Sequence, residues 1–310
     1  MISCTEFIPF YSELFSWMEG RFGRAAIDRY WSTLFRPDGK GSPLIGFLEN
    51  EGLKGCLTYW TGTLSEEAAD FTLYLNEKRG FFILDMHHCP SKGKLLELEQ
   101  KIGLKPYPDY CLHCDNYRAA VEKAGLNYIY SFRGIEKASC SILITDPARF
   151  DGRIIVDGDT RILDRRAADN EYFHPSFHFS LSRCLHYIGE TYGEAALTEA
   201  LRLSTEHIYP NELKAIREGG LPALADVIRA SYRREKQEDI LKLEQKGGSL
   251  YGETAYCPGV RAMRSAGKWV SPWYSFASSA VLGRLAEEIG LTFCWDAYNE
   301  ESGASRFRIS

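Results

Sequence analysis

Two cysteines, an imidazole and a carboxylate lie close together in the stretch PYPDYCLHCD, which runs from Pro106 to Asp115. Cys111 and Cys114 are three residues apart, with His113 between them. Thiolates and imidazoles are ligands that zinc prefers, and a thiolate is also a redox group and a nucleophile. The spacing therefore allows a metal site, a redox pair, or two structural thiols on one helical turn.

Zinc would need four ligands in tetrahedral geometry. Its predicted ligands are Cys89 and His88, at the end of the apolar run FFILDMHHC, together with Cys111 and Cys114. The chain has no second CxxC, and neighbours on a strand point to opposite faces unless the strand ends at Pro90. We therefore expect no cofactor, with a structural zinc as the alternative.

Nucleophilic chemistry is another use of the same residues. Cys89 or Cys111 would be the nucleophile, His88 the base and Asp115 the carboxylate that orients the base. Cys111 lies in the first turn of a predicted helix, where backbone N–H groups and the helix dipole lower the pKa of a thiol. His113 is two residues from Cys111 and would face away from it on a helix.

Two further interpretations remain for the thiols. A thioredoxin-like redox pair needs a preceding βαβ pattern, which the helices that open this chain do not supply. The other interpretation is a set of core thiols beneath a helix rich in tyrosine, because cysteine is usually buried. Residue types and spacing leave the structural and the nucleophilic interpretations open.

The elements that would position these residues follow from apolar periodicity and capping signals. The predicted helices cover residues 11–34, 43–61, 65–80 and 109–125, and the predicted strands are FFILDMHHC, LNYIYSF and SCSILI. The charged stretch RASYRREKQEDILKLEQK predicts a solvated helix. Helices followed by a few antiparallel strands indicate an α+β fold.

An internal repeat divides the chain into two similar units. RFGRAAID matches TYGEAALT, HHCP matches AYCP, and AGLNY matches IGLTF, in the same order along the chain. The predicted units are residues 1–148 and 173–310, joined by a linker, 149–172, that contains a hairpin turning at Asp157-Gly158. Two helical-plus-antiparallel-sheet units in one chain predict an intramolecular pseudo-dimer.

The second unit keeps only part of the thiol and histidine cluster. Cys257 aligns with Cys89, while the other positions carry Tyr256 for His88, Ser275 for Cys111 and Ser278 for Cys114. The shared scaffold therefore does not need the CxxC or the histidines, which weakens a purely structural interpretation of them.

Composition limits the classes of function. A chain of 310 residues with 45% hydrophobic and 25% charged residues is typical of a soluble globular protein. The net charge of −5 gives no basic field for nucleic acid, and no apolar run is long enough for a membrane span. Nine cysteines in a long chain do not form the pattern of a secreted disulfide scaffold, so a cytoplasmic protein is expected.

The Cys-Pro at a strand end, the helix with YCLHCD and the strand ASCSILI after the turn RGIE together resemble the L-2-amino-thiazoline-4-carboxylic acid hydrolase family. The matching positions are Cys89 and Pro90, Cys111 or Cys114 with Asp115, and Gly134, Glu136 and Cys140. The resemblance covers most of the first unit. It implies a hydrolase of C–N bonds in small cyclic amidine or thiazoline-type carboxylates. This chain departs from the family by being a tandem pair whose second unit lacks the helix cysteines, so one active site per chain is expected.

A hydrolase with a small-molecule substrate, acting as a monomeric pseudo-dimer or a homo-oligomer, is therefore the expected function. The predicted catalytic residues are Cys89, Cys111, His88 and Asp115, and the predicted substrate contacts are Tyr110, Cys114, Tyr117, Arg133 and Glu136. The alternatives are a non-catalytic small-molecule binder or sensor with an aromatic-rich pocket, and a structural zinc protein.

Overall fold

The computed structural model describes residues 2–34 and 42–310. The chain divides into two compact units. We call Met18–Phe173 the central unit, and the residues up to Trp17 together with His174–Ser310 the terminal unit. The division falls inside helix α1 (Phe7–Phe22), so the compact units differ from the sequence repeats at the N-terminal segment.

The central unit consists of helices and one antiparallel sheet. Its further helices are α2 (Arg24–Leu34), α3 (Pro43–Glu51), α4 (Leu53–Glu66), α5 (Pro90–Ile102) and α6 (Tyr117–Lys123), with a 3₁₀ segment at Tyr110–Asn116. Its strands are β1 (Asp70–Asn76), β2 (Phe81–His88), β3 (Asn127–Ser131), β4 (Cys140–Thr145) and β5 (Arg161–Arg165). The strand order is β3-β4-β2-β1-β5.

Helix α4 packs on this sheet through an aromatic core. Trp60 stacks on Phe82 of β2 with ring centroids 5.4 Å apart, and both side chains are buried. Leu73 and Leu84, on the neighbouring strands, belong to the same core. Burial of each large apolar side chain stabilises the fold by about 1.5–3 kcal/mol, so the end of α4 and the sheet are held together.

The terminal unit repeats this construction. Its helices after α1 are α7 (Phe177–Tyr192), α8 (Glu194–Ile208), α9 (Pro210–Arg234), α10 (Pro258–Ser265) and α11 (Trp273–Glu287). Its strands are β6 (Leu241–Lys246), β7 (Ser249–Thr254), β8 (Phe293–Tyr298) and β9 (Ser305–Ile309). The antiparallel strand order is β6-β7-β9-β8.

Four strands of the central sheet, β1 to β4, have the same topology as the terminal sheet. In the central sheet, β1 and β2 are followed by helices and then by β3 and β4, and β4 lies beside β2. In the terminal sheet, β6 and β7 are followed by helices and then by β8 and β9, and β9 lies beside β7. In both, a Cys-Pro step links the second strand, β2 or β7, to a helix, with Cys89 and Cys257 as the N-cap residues. The α+β fold is confirmed, and the pseudo-dimer arrangement stays a prediction.

Two predicted helices are wrong because alternating burial outweighs the capping signals. Residues 65–80 do not form a helix: α4 ends at Glu66, and β1 buries Phe71, Leu73 and Leu75 on one face at a period of two. Likewise, α9 ends at Arg234 and the last part of the charged stretch forms β6. The predicted helix over 109–125 is a 3₁₀ segment followed by the short helix α6.

The predicted linker hairpin does not form either. Its second arm is β5, which pairs with β1 instead of residues 153–156. The turn at Asp157 is held to the sheet because the Asp157 carboxylate accepts hydrogen bonds from Asn76 and Arg79. In the part of the chain that the structure describes, no helix has the length and the apolar character needed to cross a bilayer.

Candidate functional site

The N-terminus of α5 carries a cysteine in the central unit. Cys89 is the N-cap, and its Sγ accepts the backbone N–H of Lys92 at a distance of 3.5 Å. Its own backbone N–H donates to the carbonyl of Ala138, 2.6 Å away, which ties the cap to the turn before β4. Pro90 starts the helix because its missing N–H needs no partner at that position. The thiol therefore lies at the positive end of a 13-residue helix.

Glu67, which follows α4, lies beside the same helix start. Its Oε2 accepts a hydrogen bond from the Ser91 hydroxyl at 3.3 Å. Burial raises the pKa of the half-buried Glu67 carboxyl to about 7, although Ser91 and His113 both act to lower it. A carboxyl that titrates near neutral pH can take up and return a proton under physiological conditions.

His113 lies next to both Glu67 and a thiol. Its Nδ1 is 2.5 Å from the carbonyl oxygen of Tyr110, to which it donates, and its Nε2 is 3.6 Å from Cys114 Sγ. Burial lowers the pKa of His113, which keeps the ring neutral at pH 7. The neutral ring therefore directs an acceptor nitrogen towards the Cys114 thiol.

Four half-buried thiols surround this histidine and carboxylate. Electrostatic interactions link Cys114 to Cys89, Cys111 and Cys140, and the Tyr130 hydroxyl hydrogen-bonds to the thiols of Cys114 and Cys140. We call these four cysteines with Glu67, His113 and Tyr130 the thiol cluster.

Burial sets the protonation of these thiols. It raises the pKa of Cys111 to about 11 and those of Cys114 and Cys140 to about 12, and it raises the pKa of Cys89 as well. The expected lowering of the Cys111 pKa by a helix start is therefore wrong, because desolvation is the larger effect. The resting thiols are protonated and need a base.

Other predicted site residues lie around this cluster with different partners. Asp115 pairs with Arg118 at 2.7 Å, so its carboxylate does not orient a histidine. Tyr110 is buried against the His113 ring, and the Tyr117 hydroxyl is 2.9 Å from that of Tyr59. Tyr110 and Tyr117 therefore lie next to members of the thiol cluster.

Three predicted residues point to solvent. His88 is exposed at the end of β2, and its ring covers Gly93 of α5. Arg133 and Glu136 are exposed in the turn between β3 and β4. Since neighbouring residues of a strand end diverge, His88 and Cys89 leave the sheet in different directions.

The predicted zinc ligands do not converge. In the ranges 2–34 and 42–310, a single set of three His, Cys, Asp or Glu side chains has its ligand atoms within 4.8 Å of one another. That set is Cys4, His178 and Glu235, all in the terminal unit. Cys89, Cys111, Cys114 and His88 do not meet the same condition.

Glu67 is the residue that the sequence predictions missed, together with Tyr130 and Ser91. The repeat could have identified Glu67, because Glu235 lies at the same position after α9 as Glu67 after α4. The two have matching backbone angles, φ −85° and ψ 0° against φ −82° and ψ −1°. Each is followed by a non-glycine residue with positive φ, Ala68 at 49° and Lys236 at 58°.

Each unit therefore brings a glutamate after a helix close to a Cys-Pro cap. Glu67 acts electrostatically on Cys89, and Glu235 acts on Cys257. In the terminal unit the equivalents of the CxxC are serines, and Cys257 is buried beside Tyr274 and Tyr298 around a small cavity. The half-buried thiol cluster belongs to the central unit alone.

Comparisons with family models, with curated proteins and with solved structures find no match to this chain. The family resemblance therefore depends on the short motifs, and function must be argued from the site.

Proposed function

We propose that the central unit hydrolyses C–N bonds in small cyclic amidine or thiazoline-type carboxylates, the chemistry that the sequence resemblance implies. The observation that carries this proposal is the position of Glu67, a carboxyl that titrates near pH 7, beside the Cys89-capped start of α5. Cys89 is the nucleophile and Glu67 the base that activates it. This assignment replaces His88, which is exposed, and Asp115, which pairs with Arg118.

The reaction starts with proton transfer from the Cys89 thiol to Glu67. The thiolate attacks the amidine carbon, an S–C bond forms, and the electrons of the C–N bond move to nitrogen, which takes the proton from Glu67. Water then attacks the same carbon: a C–O bond forms, the S–C bond to Cys89 breaks, and a proton lost by the water returns the Cys89 thiolate to the thiol. The N–H groups at the start of α5 stabilise the thiolate while it exists.

Lys92 supports the choice of an anionic substrate. Its side chain is half-buried and acts electrostatically on Cys111, so a positive charge borders the thiol cluster. Among the described residues no carboxylate lies within ion-pair distance of Lys92. A substrate carboxylate can therefore pair with it, and Tyr110 and Tyr117 remain the proposed aromatic contacts.

Because none of the nine cysteines, all of them described, forms a disulfide, we also propose a reducing, cytoplasmic setting.

Turnover of 2-aminothiazoline-4-carboxylate and a panel of cyclic amidines and lactams tests this proposal. Ring opening would be followed by mass spectrometry for the wild type, C89S and E67Q. Because proton transfer and nucleophilic attack each depend on one of these groups, we expect both variants to lose at least about 100-fold in kcat. C257S is the matched control, since Cys257 caps α10 as Cys89 caps α5, and it should keep its rate.

Two outcomes would overturn the proposal. Undiminished turnover by C89S and E67Q would remove both residues from the mechanism. Calorimetric binding of a panel member without any turnover would favour the alternative, a non-catalytic binder or sensor.

A further inference from the structure

Cys4, His178 and Glu235 converge in the interior of the terminal unit from three distant parts of the sequence. Cys4 precedes α1, His178 lies in the first turn of α7, and Glu235 follows α9. Their exposed fractions are 1%, 1% and 3%. A thiol, an imidazole and a carboxylate are thus enclosed together, and burying such groups is costly unless they are paired.

Hydrogen bonds within this cluster hold the three groups close together. The Cys4 backbone N–H donates to Glu235 Oε1 at 2.5 Å, and the second carboxylate oxygen, Oε2, is 3.1 Å from His178 Nε2. The Cys4 thiol also hydrogen-bonds to Glu235. Sulfur, nitrogen and oxygen ligand atoms lie within 4.8 Å of one another.

Tyr274 supports the imidazole from behind. Its hydroxyl is 2.7 Å from His178 Nδ1, and Tyr274 is itself buried. A hydroxyl can donate to Nδ1 or accept from it, so either tautomer of His178 keeps this partner. A metal-binding histidine needs such a partner on its other nitrogen, which leaves Nε2 as the ligand atom.

We propose that the terminal unit binds one zinc ion through Cys4 Sγ, His178 Nε2 and a carboxylate oxygen of Glu235. Zinc accepts this mixed sulfur, nitrogen and oxygen set, with bond lengths of about 2.0–2.3 Å, and a water molecule would be the fourth ligand. Zinc replaces the thiol proton, which is released, and it takes the place of the proton on His178 Nε2, so that the neutral imidazole carries its proton on Nδ1 beside the Tyr274 hydroxyl. This inference does not depend on the hydrolase activity proposed for the central unit.

The repeat explains why this unit would use its glutamate differently. Glu67 and Glu235 occupy equivalent positions, but only Glu67 is near a half-buried thiol cluster. Glu235 is instead enclosed with His178 and Cys4. The same backbone position would thus serve acid–base chemistry in one unit and metal binding in the other.

Refolding of the full chain with zinc or cobalt tests the site. We expect one zinc per chain by elemental analysis after desalting, and a higher Tm with zinc than with chelator, since a ligand of the folded state stabilises it. Cobalt should give a sulfur-to-metal charge-transfer band. C4S should lose this band and C184S should keep it, because Cys184 is a buried thiol of α7 outside the cluster.

A C89S/C114S double variant checks that the band does not come from the central unit, and it should keep the band. A chain that retains no zinc and whose Tm does not respond to zinc would overturn the proposal. A band that survives in C4S, or disappears in C89S/C114S, would also overturn it. If C4S does not fold, E235Q is the test variant instead. It should reduce zinc affinity at least about 10-fold, and an unchanged affinity would overturn the proposal.

Discussion

Glu67 is a half-buried carboxyl whose surroundings raise its pKa. It is half-buried where α4 ends, and its carboxylate has the Ser91 hydroxyl as a hydrogen-bond partner. Its pKa of about 7 lies above the ordinary glutamate value of 4.5 because burial disfavours the charged form. A group in this position destabilises the folded protein whenever it is ionised.

Glu67→Gln should therefore stabilise the protein at high pH while removing the proposed base. The raised pKa means that the folded state binds the proton more tightly, so the wild type loses stability as the pH rises from about 4.5 through 7. Between pH 4 and pH 8 we expect the variant to gain about 1–3 kcal/mol relative to the wild type, with solvent exposure limiting the effect. Urea unfolding at the two pH values measures it.

Glu66→Gln provides the control for this effect, because Glu66 is the exposed neighbour of Glu67. Its unfolding free energy should follow that of the wild type at both pH values. A Glu67→Gln variant with the same pH dependence as the wild type would contradict the raised pKa.

At the scale of elements, one close approach in the terminal sheet depends on the absence of a side chain. Gly252 of β7 is paired with Phe307 of β9, and the buried Phe307 ring occupies the space where a Cβ would lie. The missing Cβ lets the ring cover the backbone of the neighbouring strand.

Gly252→Ala should therefore destabilise the terminal unit by about 1–3 kcal/mol, as overpacking of a core does. Gly283→Ala is the matched control, because Gly283 lies within α11 and nothing surrounds its missing Cβ. That change should stabilise the protein by about 0.5–1 kcal/mol through helix propensity. Equal effects of the two substitutions in chemical denaturation would be incompatible with the packing of Phe307.

Across the whole chain, the nine cysteines form three classes of exposure. Cys294 is exposed; Cys89, Cys111, Cys114 and Cys140 are half-buried; and Cys4, Cys56, Cys184 and Cys257 are buried. The half-buried class is confined to the thiol cluster.

Thiol titration of the native chain should follow these classes. Cys294 should react first and the four cluster thiols more slowly, because burial raises the pKa of each of them. The four buried thiols should react only after unfolding. Peptide mapping of the labelled chain measures the order, and rapid labelling of Cys56 in the native protein would contradict the buried core.

Local sequence was sufficient for much of the fold. Apolar runs predicted strands over residues 81–89 and 139–144, which the structure forms at Phe81–His88 and Cys140–Thr145. The repeat landmarks predicted the shared order of helices and strands. Where two local signals competed, as over residues 65–80, the buried face of β1 decided against a helix. Only packing against α4 and β2 makes that face a core.

The sequence by itself determined the α+β class, the repeat and the strand that ends at Cys89-Pro90, because periodicity and turn signals act within a few residues. Tertiary structure alone decided that Glu67 lies beside the start of α5 and that Cys4 lies beside His178 and Glu235. It also decided that the exposed His88 ring lies against Gly93. These contacts join residues far apart in the chain, and local patterns contain no information on which distant elements pack together. The pKa values depend on the same packing, since desolvation is a property of the folded surroundings.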